Sequence, residues 1–512
     1  MRPTDPSSPI PLPPSIPLIP VDRSTRIVLV LACAVHFVLG ASVGLSVDEA
    51  HYALYATHLA LSYFDHPPLV GWLQWPLVAL DAPIAVLRLI PEALWLGTVL
   101  LVHRIAFRLQ LHADDALAGT QAGYWAVLVL TLAPLLHVLG IGLLPDTLLM
   151  FFTAALVWWT LDLMQPGALQ RTGLWAVLGL LLGLAGLSKY TAIFVALALG
   201  LCLLLAHGPR FFVSGRLWMA VAIALVVVSP VAIWNAQNHW ISFAYQAQHG
   251  AGGGWQAREV FKFLVVQLVA FGPLLLWGWV GWSGDRSRSL RWFFVLPFGV
   301  FAALAGGGTS LPHWTAPAWI ALAPFAGVAL AQSGRLGQRK MVLVMAWTQG
   351  AISVVVLGLM VSAGVPFVQG TSGSGNATDP SNPFADVHGW DGAGARARDL
   401  ATQNGLKSVA VQNWTLASRL AWYARPMPIH VLEDRFDQFD LWAGDLPQGG
   451  DTLLVDWSQL AYEVPLGAHG FADCRLLETQ VVRRFGVAIA TFSFHACHNW
   501  SGDPQPLLRK RP

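Results

Sequence analysis

Two carboxylates stand side by side at Asp48 and Glu49, directly after a long apolar run, and another acid, Asp65, precedes His66 and two prolines in YFDHPPL. Partial burial raises a carboxylate's pKa and a nearby cation or metal lowers it, so either setting can prepare a base. Asp48 and Glu49 are equally readable as the solvated end of an apolar helix. The prolines hold the second motif in an extended turn, and rigid loops are good carriers of reactive groups. Asp146, in GLLPDTLLMFF, opens an apolar run, where it can simply cap a helix. Lys189, followed by Tyr190 in GLSKYTAIF, lies between two apolar runs with almost no loop. Its ammonium is expected near the interface, on a lipid phosphate or a substrate phosphate. The segment NAQNHWISFAYQAQHGAGGGWQAREVFK adds His249, a glycine run and Arg258. Glycines beside a histidine suit a loop that orders around a ligand, although a loop histidine can also do no more than bond to backbone.

The elements that must position these groups are membrane spans. The chain has 512 residues, of which 55% are hydrophobic and 11% charged, with a mean hydropathy of +0.55. Its apolar residues collect into runs long enough for helices to cross a bilayer. Eleven spans are expected, near 27–44, 84–102, 118–142, 147–164, 173–187, 190–206, 217–234, 261–282, 292–306, 316–332 and 341–364. The short-loop cations Arg23 and Arg26, Arg104 and Arg108, Arg171, Arg210 and Arg216, Arg286, Arg288 and Arg291, and Arg335, Arg339 and Lys340 fall on alternate loops, which puts those loops in the cytoplasm and the loop 45–84, with Asp48 and Asp65, outside. The segment EAHYALYATHLAL has apolar residues at helical spacing and is expected to lie on the membrane surface.

Three regions follow: a disordered cytoplasmic leader over 1–25, a transmembrane domain over 26–364, and an extracytoplasmic domain over 365–512. The last opens with a Gly/Ser-rich linker containing the sequon at Asn376. Its strand-like runs SVAVQNW, DTLLVDW and GVAIATFSF predict a small α/β domain. Cys474 and Cys497 can pair there if the compartment is oxidising. The net charge of +2, with no basic face interleaved with aromatics, excludes nucleic-acid binding.

The order DEAHYALYA, SYFDHPPL, LLPDTLLMFF, GLSKYTAIF, SFAYQAQHG and LPHWTAPAW, over roughly the first 330 residues, resembles the GT-C superfamily of multi-span glycosyltransferases that use polyprenyl-phosphate sugars. The similarity is greatest to aminoarabinose transferase-like proteins and extends to protein O-mannosyltransferases. It implies an all-α polytopic domain of GT-C type with a small periplasmic domain, in a bacterial inner membrane. It also implies an inverting transfer of sugar from an undecaprenyl-phosphate donor to a glycolipid such as lipid A, or to an envelope glycan or protein. Asp48 and Glu49 match the family's acidic pair, and Asp65, Asp146, Lys189 and His249 match its other motif positions. Taken with the residues themselves, this predicts catalysis by Asp48 and Glu49, and substrate binding by Asp65, His66, Asp146, Lys189, Tyr190, Arg258 and His313. A divalent Mg, Mn or Zn ion would sit on Asp65 and His249, with Glu49 a further ligand. His66 and His313 stand where relatives carry a basic residue and a lysine, so sugar and acceptor can differ. The competing class is a transporter or flippase of lipid-linked sugars. It would want ionisable groups at the bilayer midplane, and the expected spans are almost free of charge.

Overall fold

The protein is described by a computed structural model covering residues 21–110, 116–251, 253–282, 288–333, 336–364 and 382–504. Most of the leader, and the linker with Asn376, lie outside the described residues.

Helices run through the first three quarters of the chain: α1 Arg23–Ser42, α2 Val47–Thr57, α3 Leu69–Ala79, α4 Ile84–Leu87, α5 Leu89–Gln110, α6 Ala116–Thr131, α7 Pro134–Ile141, α8 Pro145–Leu163, α9 Thr172–Ser188, α10 Ala192–His207, α11 Gly215–Gln237, α12 Ile241–Ala251, α13 Ala257–Phe271, α14 Trp292–Ala305, α15 Ala316–Ala331 and α16 Leu336–Ser362. Each of the eleven expected spans falls on an apolar helical segment, but not all as single long helices. Among the described residues six are long and apolar enough to cross a membrane. Two more are broken: α6 and α7 meet at 79°, and α13 is followed after Gly272 by a 3₁₀ turn at 103°. The breaks coincide with Pro134 and Pro273, which supply no N–H to continue a helix. The helices at 172–188, 192–207 and 289–305 fall short of 18 residues.

The span interiors are less empty of polar groups than expected. His36 Nδ1 lies 2.5 Å from Glu92 and its Nε2 2.8 Å from His137 Nδ1, joining α1, α5 and α7 through their buried faces. All three are paired inside the bundle, as buried ionisable groups require.

The C-terminal region adds α17 Trp390–Gln403, β1 Val409–Val411, α18 Trp414–Tyr423, β2 Ile429–Val431, α19 Gln438–Trp442, β3 Thr452–Trp457, β4 Phe471–Arg484 and β5 Val487–Trp500. One five-stranded sheet forms in the order β2-β1-β3-β5-β4, parallel through β2, β1 and β3 and antiparallel beyond. The apolar runs at 409–411 and 452–457 are buried along their whole length, as inner parallel strands must be. Cys474 and Cys497 form a disulfide across the β4–β5 pair.

The amphipathic helix α2 departs from its expected place on a lipid surface. Residues 49–56 are all buried, because the sheet domain covers the side that would have faced water. Ala50, Ala53, Leu54 and Ala56 share one apolar cluster with Leu416, Ala417 and Leu420 of α18. Polar bonds fix this docking. Gly44 N–H donates to Val387 O at 2.8 Å, Leu45 N–H to the Tyr423 hydroxyl at 2.9 Å, and Phe64 N–H to Gln438 Oε1 at 2.8 Å.

Candidate active site

Helix α2 starts from a capping box: the Ser46 hydroxyl accepts from Glu49 N–H, and the Glu49 carboxylate accepts from Ser46 N–H. That start sets the rotation of everything after it. Asp48, His51, Tyr52 and Tyr55 fall at i, i+3, i+4 and i+7, so they share one face. Glu49 points elsewhere. Its buried carboxylate takes Arg88 Nε at 3.0 Å and Nη2 at 3.1 Å. The same guanidinium bonds to the carbonyls of Gly40, Val43 and Gly44 at the end of α1. Arg88 therefore staples the exit of α1 to the entry of α2, with Glu49 as its counter-ion.

On the Asp48 face, two clusters form. In the first, His51 Nε2 lies 3.3 Å from Asp65 Oδ2, and the Tyr55 hydroxyl donates to Asp65 Oδ1. The Ser418 hydroxyl donates to Trp414 O at 2.9 Å, so its oxygen accepts from His51 Nδ1–H at 3.1 Å. This arrangement suits an imidazolium, with both ring nitrogens donating, facing the Asp65 carboxylate. The electrostatics agree. Burial disfavours the His51 charge, but Asp65, Asp437 and Asp48 outweigh it and raise its pKa. Burial likewise works to raise Asp65, yet His51, His66 and the Tyr55 bond hold it well below the usual carboxylate range.

The second cluster gathers residues from three spans. Asp146, in the first turn of α8, receives Lys189 Nζ at 2.7 Å on both oxygens, and His313 Nε2 lies 3.8 Å away. Asp146 is 2% and Lys189 4% exposed. Asp146 is not the helix cap, a position held by Leu144, and Lys189 does not reach for lipid. Its ammonium sits 5.5 Å over the Trp314 ring. Tyr190 follows, its buried hydroxyl near Ser62, Ser242 and Asn235 but without a hydrogen-bond partner among the described residues.

Asp48 and His66 stand between the clusters. Asp48 makes no hydrogen bond or ion pair with a described residue. Burial raises its pKa, with His313 and His51 pulling it down and Asp386 and Asp146 adding to the rise. His66 is pushed down to about 4 by burial and the Lys189 charge, against the pull of Asp65, and is neutral at pH 7. An unpartnered carboxylate of raised pKa, within electrostatic reach of His313 and His51, is suited to taking a proton from a substrate hydroxyl.

Arg258 is exposed in the first turn of α13 and makes no ion pair among the described residues. His249 lies within α12, but its side chain is outside the described residues. Among the described residues no three His, Cys, Asp or Glu side chains are placed to hold a metal ion, and Asp65 has both oxygens engaged.

Several contributors escaped the sequence reading. His51 was legible in principle, one turn after Asp48 on the same helix face. Ser418, Arg419, Arg435 and Asp437 come from the C-terminal domain, whose position over α2 no local pattern announces. Arg419 is 1% exposed, bonded to Asp386 and sandwiched by Trp390 at 4.0 Å and Trp457 at 4.9 Å.

The fold is shared with a solved glycosyltransferase-like membrane protein, ArnT. The crystal structure of ArnT from Cupriavidus metallidurans bound to undecaprenyl phosphate matches with a TM-score of 0.63 at 17% identity, over 92% of this chain and 97% of that one. The apo form of the same protein matches at 0.62. A family model described as dolichyl-phosphate-mannose-protein mannosyltransferase matches residues 65–234. In sequence, the chain is 27% identical over 289 residues to the lipid A galacturonosyltransferase RgtD of Rhizobium johnstonii, covering 54% of this chain and 58% of the relative. It is 26% identical over 313 residues to the lipopolysaccharide core galacturonosyltransferase RgtA of that organism, covering 56% and 60%. The chain thus spans about three-fifths of the length of these relatives.

Proposed function

We propose that this chain is an inverting glycosyltransferase that moves a sugar from a polyprenyl-phosphate donor to a glycolipid acceptor of the cell envelope. The observation that carries the reading is the unpartnered Asp48 carboxylate beside the buried Asp146–Lys189 pair. Asp48 takes the proton of an acceptor hydroxyl as its oxygen attacks the anomeric carbon. The bond from that carbon to the phosphate oxygen breaks on the opposite face, and the polyprenyl phosphate leaves with the electron pair. Lys189, oriented by Asp146 and flanked by His313, offsets the phosphate charge, with Arg258 a second cation for it. Asp65, His51, His66 and Tyr190 orient the reacting sugar. Glu49 acts one step removed, by holding α2 in place through Arg88.

The relatives' names support a lipid-linked donor, a lipopolysaccharide acceptor and, first among sugars, a hexuronate. The alternating cations support eleven crossings with α2 and the sheet domain on the periplasmic side of an inner membrane. The Cys474–Cys497 disulfide supports an oxidising compartment for that side. A Mg, Mn or Zn ion on Asp65 and His249 would use the remaining lone pairs of a carboxylate already bonded to Tyr55 and His51, and activity after EDTA dialysis, with each ion restored in turn, tests it.

The decisive experiment is reconstitution of the purified chain in lipid nanodiscs with a polyprenyl-phosphate hexuronate and lipid A. The expected products are lipid A heavier by one sugar, with the anomeric configuration inverted, and free polyprenyl phosphate. Movement of intact donor across vesicles without cleavage would instead identify a flippase and overturn the reading.

A further inference from the structure

A second cleft opens above the Asp65–His51 pair, where the YFDHPPL loop and α12 meet the C-terminal domain. It is walled by Phe64, Tyr245 and Trp414, and by Arg435, Asp437 and Gln438 from one short segment, and encloses about 40 Å³. Aromatic walls with a few convergent polar groups are what sugar rings need: apolar faces for C–H surfaces, and donors and acceptors for hydroxyls.

Two features give the cleft a charge preference. Four cations around the site already hold carboxylates: Lys189 on Asp146, Arg88 on Glu49, Arg419 on Asp386 and His51 on Asp65. Arg435 holds none among the described residues. It is exposed, and its polar contact there is the Tyr245 hydroxyl at 3.3 Å, with its guanidinium 5.6 Å from that ring. Beside it, Asp437 is 5% exposed and caps α19, its Oδ1 accepting from Phe439 N–H at 2.6 Å, while its buried Oδ2 has no partner among the described residues. Burial, reinforced by Asp440 and Glu433 against the Phe439 bond, pushes this carboxyl up to about 7. It can therefore carry a proton and donate rather than repel an anion.

We infer that this cleft is a sugar subsite selective for a sugar bearing an anionic group, with Arg435 receiving the anion and Asp437 bonding to the ring. The inference rests on the glycosyl-transfer reading. Either a hexuronate on the donor or a phosphate on the acceptor sugar would supply that anion, and the test separates them. The full-length protein in nanodiscs is assayed for equilibrium binding and transfer. One arm compares a polyprenyl-phosphate hexuronate with the matching neutral hexose, the other lipid A with and without its phosphates. Losing a hydrogen bond to a charged group predicts that Arg435→Gln raises Kd and KM for the anionic member of one arm by about 10- to 100-fold. Its neutral counterpart and kcat should move less than about threefold, and Arg435→Lys should restore part of the loss. Asp437→Asn should weaken binding of both members of that arm alike. Equal effects of Arg435→Gln on charged and neutral substrates in both arms, or no effect, would overturn the subsite. Arg435-dependent binding without transfer of any sugar would sink the transfer reading and leave the subsite standing.

Discussion

Asp48 and Glu49 are neighbours in sequence, and neutralising each in turn should produce opposite failures. Glu49 shares two hydrogen bonds with Arg88, and both side chains are buried, at 8% and 7% exposure. In Glu49→Gln the guanidinium stays buried without a counter-ion. Breaking such a pair costs about 3–5 kcal/mol, and the amide oxygen that replaces one acceptor argues for the lower end. Arg88 also ties Gly40, Val43 and Gly44, so α1 and α2 should loosen together. Asp48 is the reverse case. Burial raises its pKa, so folding disfavours its ionised form, and Asp48→Asn removes a charge the fold does not want. Its stability should change by less than about 1 kcal/mol, in either direction. What it loses is the base, worth typically about 10²- to 10⁴-fold in rate. Both variants would be purified, their unfolding midpoints measured in one detergent, and their transfer rates normalised to folded protein. Asp48→Asn should be stable and nearly inert, and Glu49→Gln unstable but competent while folded. A stable Glu49→Gln, or an Asp48→Asn variant keeping more than about a tenth of wild-type activity, would refute the division of roles.

Three further outcomes follow from the same geometry. The acid limb of kcat/KM should lie above the ordinary carboxylate range, about pH 4, because protonating the raised Asp48 removes the base; a limb at or below that range would contradict the assignment. The His51–Asp65 pair should make stability depend on pH. Asp65, with its pKa depressed, contributes above its unfolded value and loses that contribution as pH falls through the folded one, whereas His51, with its pKa raised, contributes below about 6.5 and loses it as pH rises through its folded value. The stability gap between wild type and His51→Gln should therefore be widest from about pH 4 to 6.5 and narrow in alkali, and a gap constant across unfolding curves from pH 4 to 9 would count against the imidazolium. Finally, Lys189→Met should cost about 3–5 kcal/mol by stranding Asp146, while Asp146→Leu combined with Lys189→Met should recover most of the unfolding midpoint and none of the activity.

The membrane body was legible in sequence because hydropathy is a local quantity. Each of the eleven apolar runs fell on helical structure, and the breaks at Pro134 and Pro273 were visible as prolines, though their 79° and 103° bends were not. The strand runs around 409, 452 and 487 were legible as apolar stretches; β2, three residues long, and β4, mostly exposed, carry too little pattern to stand out. The meeting of Asp146, Lys189 and His313 was foreseeable only as positions on one side of the membrane. That Glu49 turns away from Asp48 follows from helix rotation, but that Arg88 waits for it does not. The largest gap was the docked tail. Burial of α2 on both sides depends on packing with residues more than 300 positions away, and no periodicity within either segment encodes that meeting.

The bond between Phe64 N–H and Gln438 Oε1 joins residues 374 positions apart, and that interval also separates them in time. At about 5–20 residues per second, the ribosome takes on the order of 20 to 75 s to go from one to the other. Throughout that interval Asp48, Asp65 and the apolar side of α2 have no roof. On the proposed reading, a nascent chain holds Asp48 and Asp65 before the segment with Arg435 and Asp437 exists, and would become competent only once residues 382–504 have been made and folded. The tail is in effect a completion signal: a chain that stops early is left with an exposed apolar helix, a mark by which quality control could recognise it.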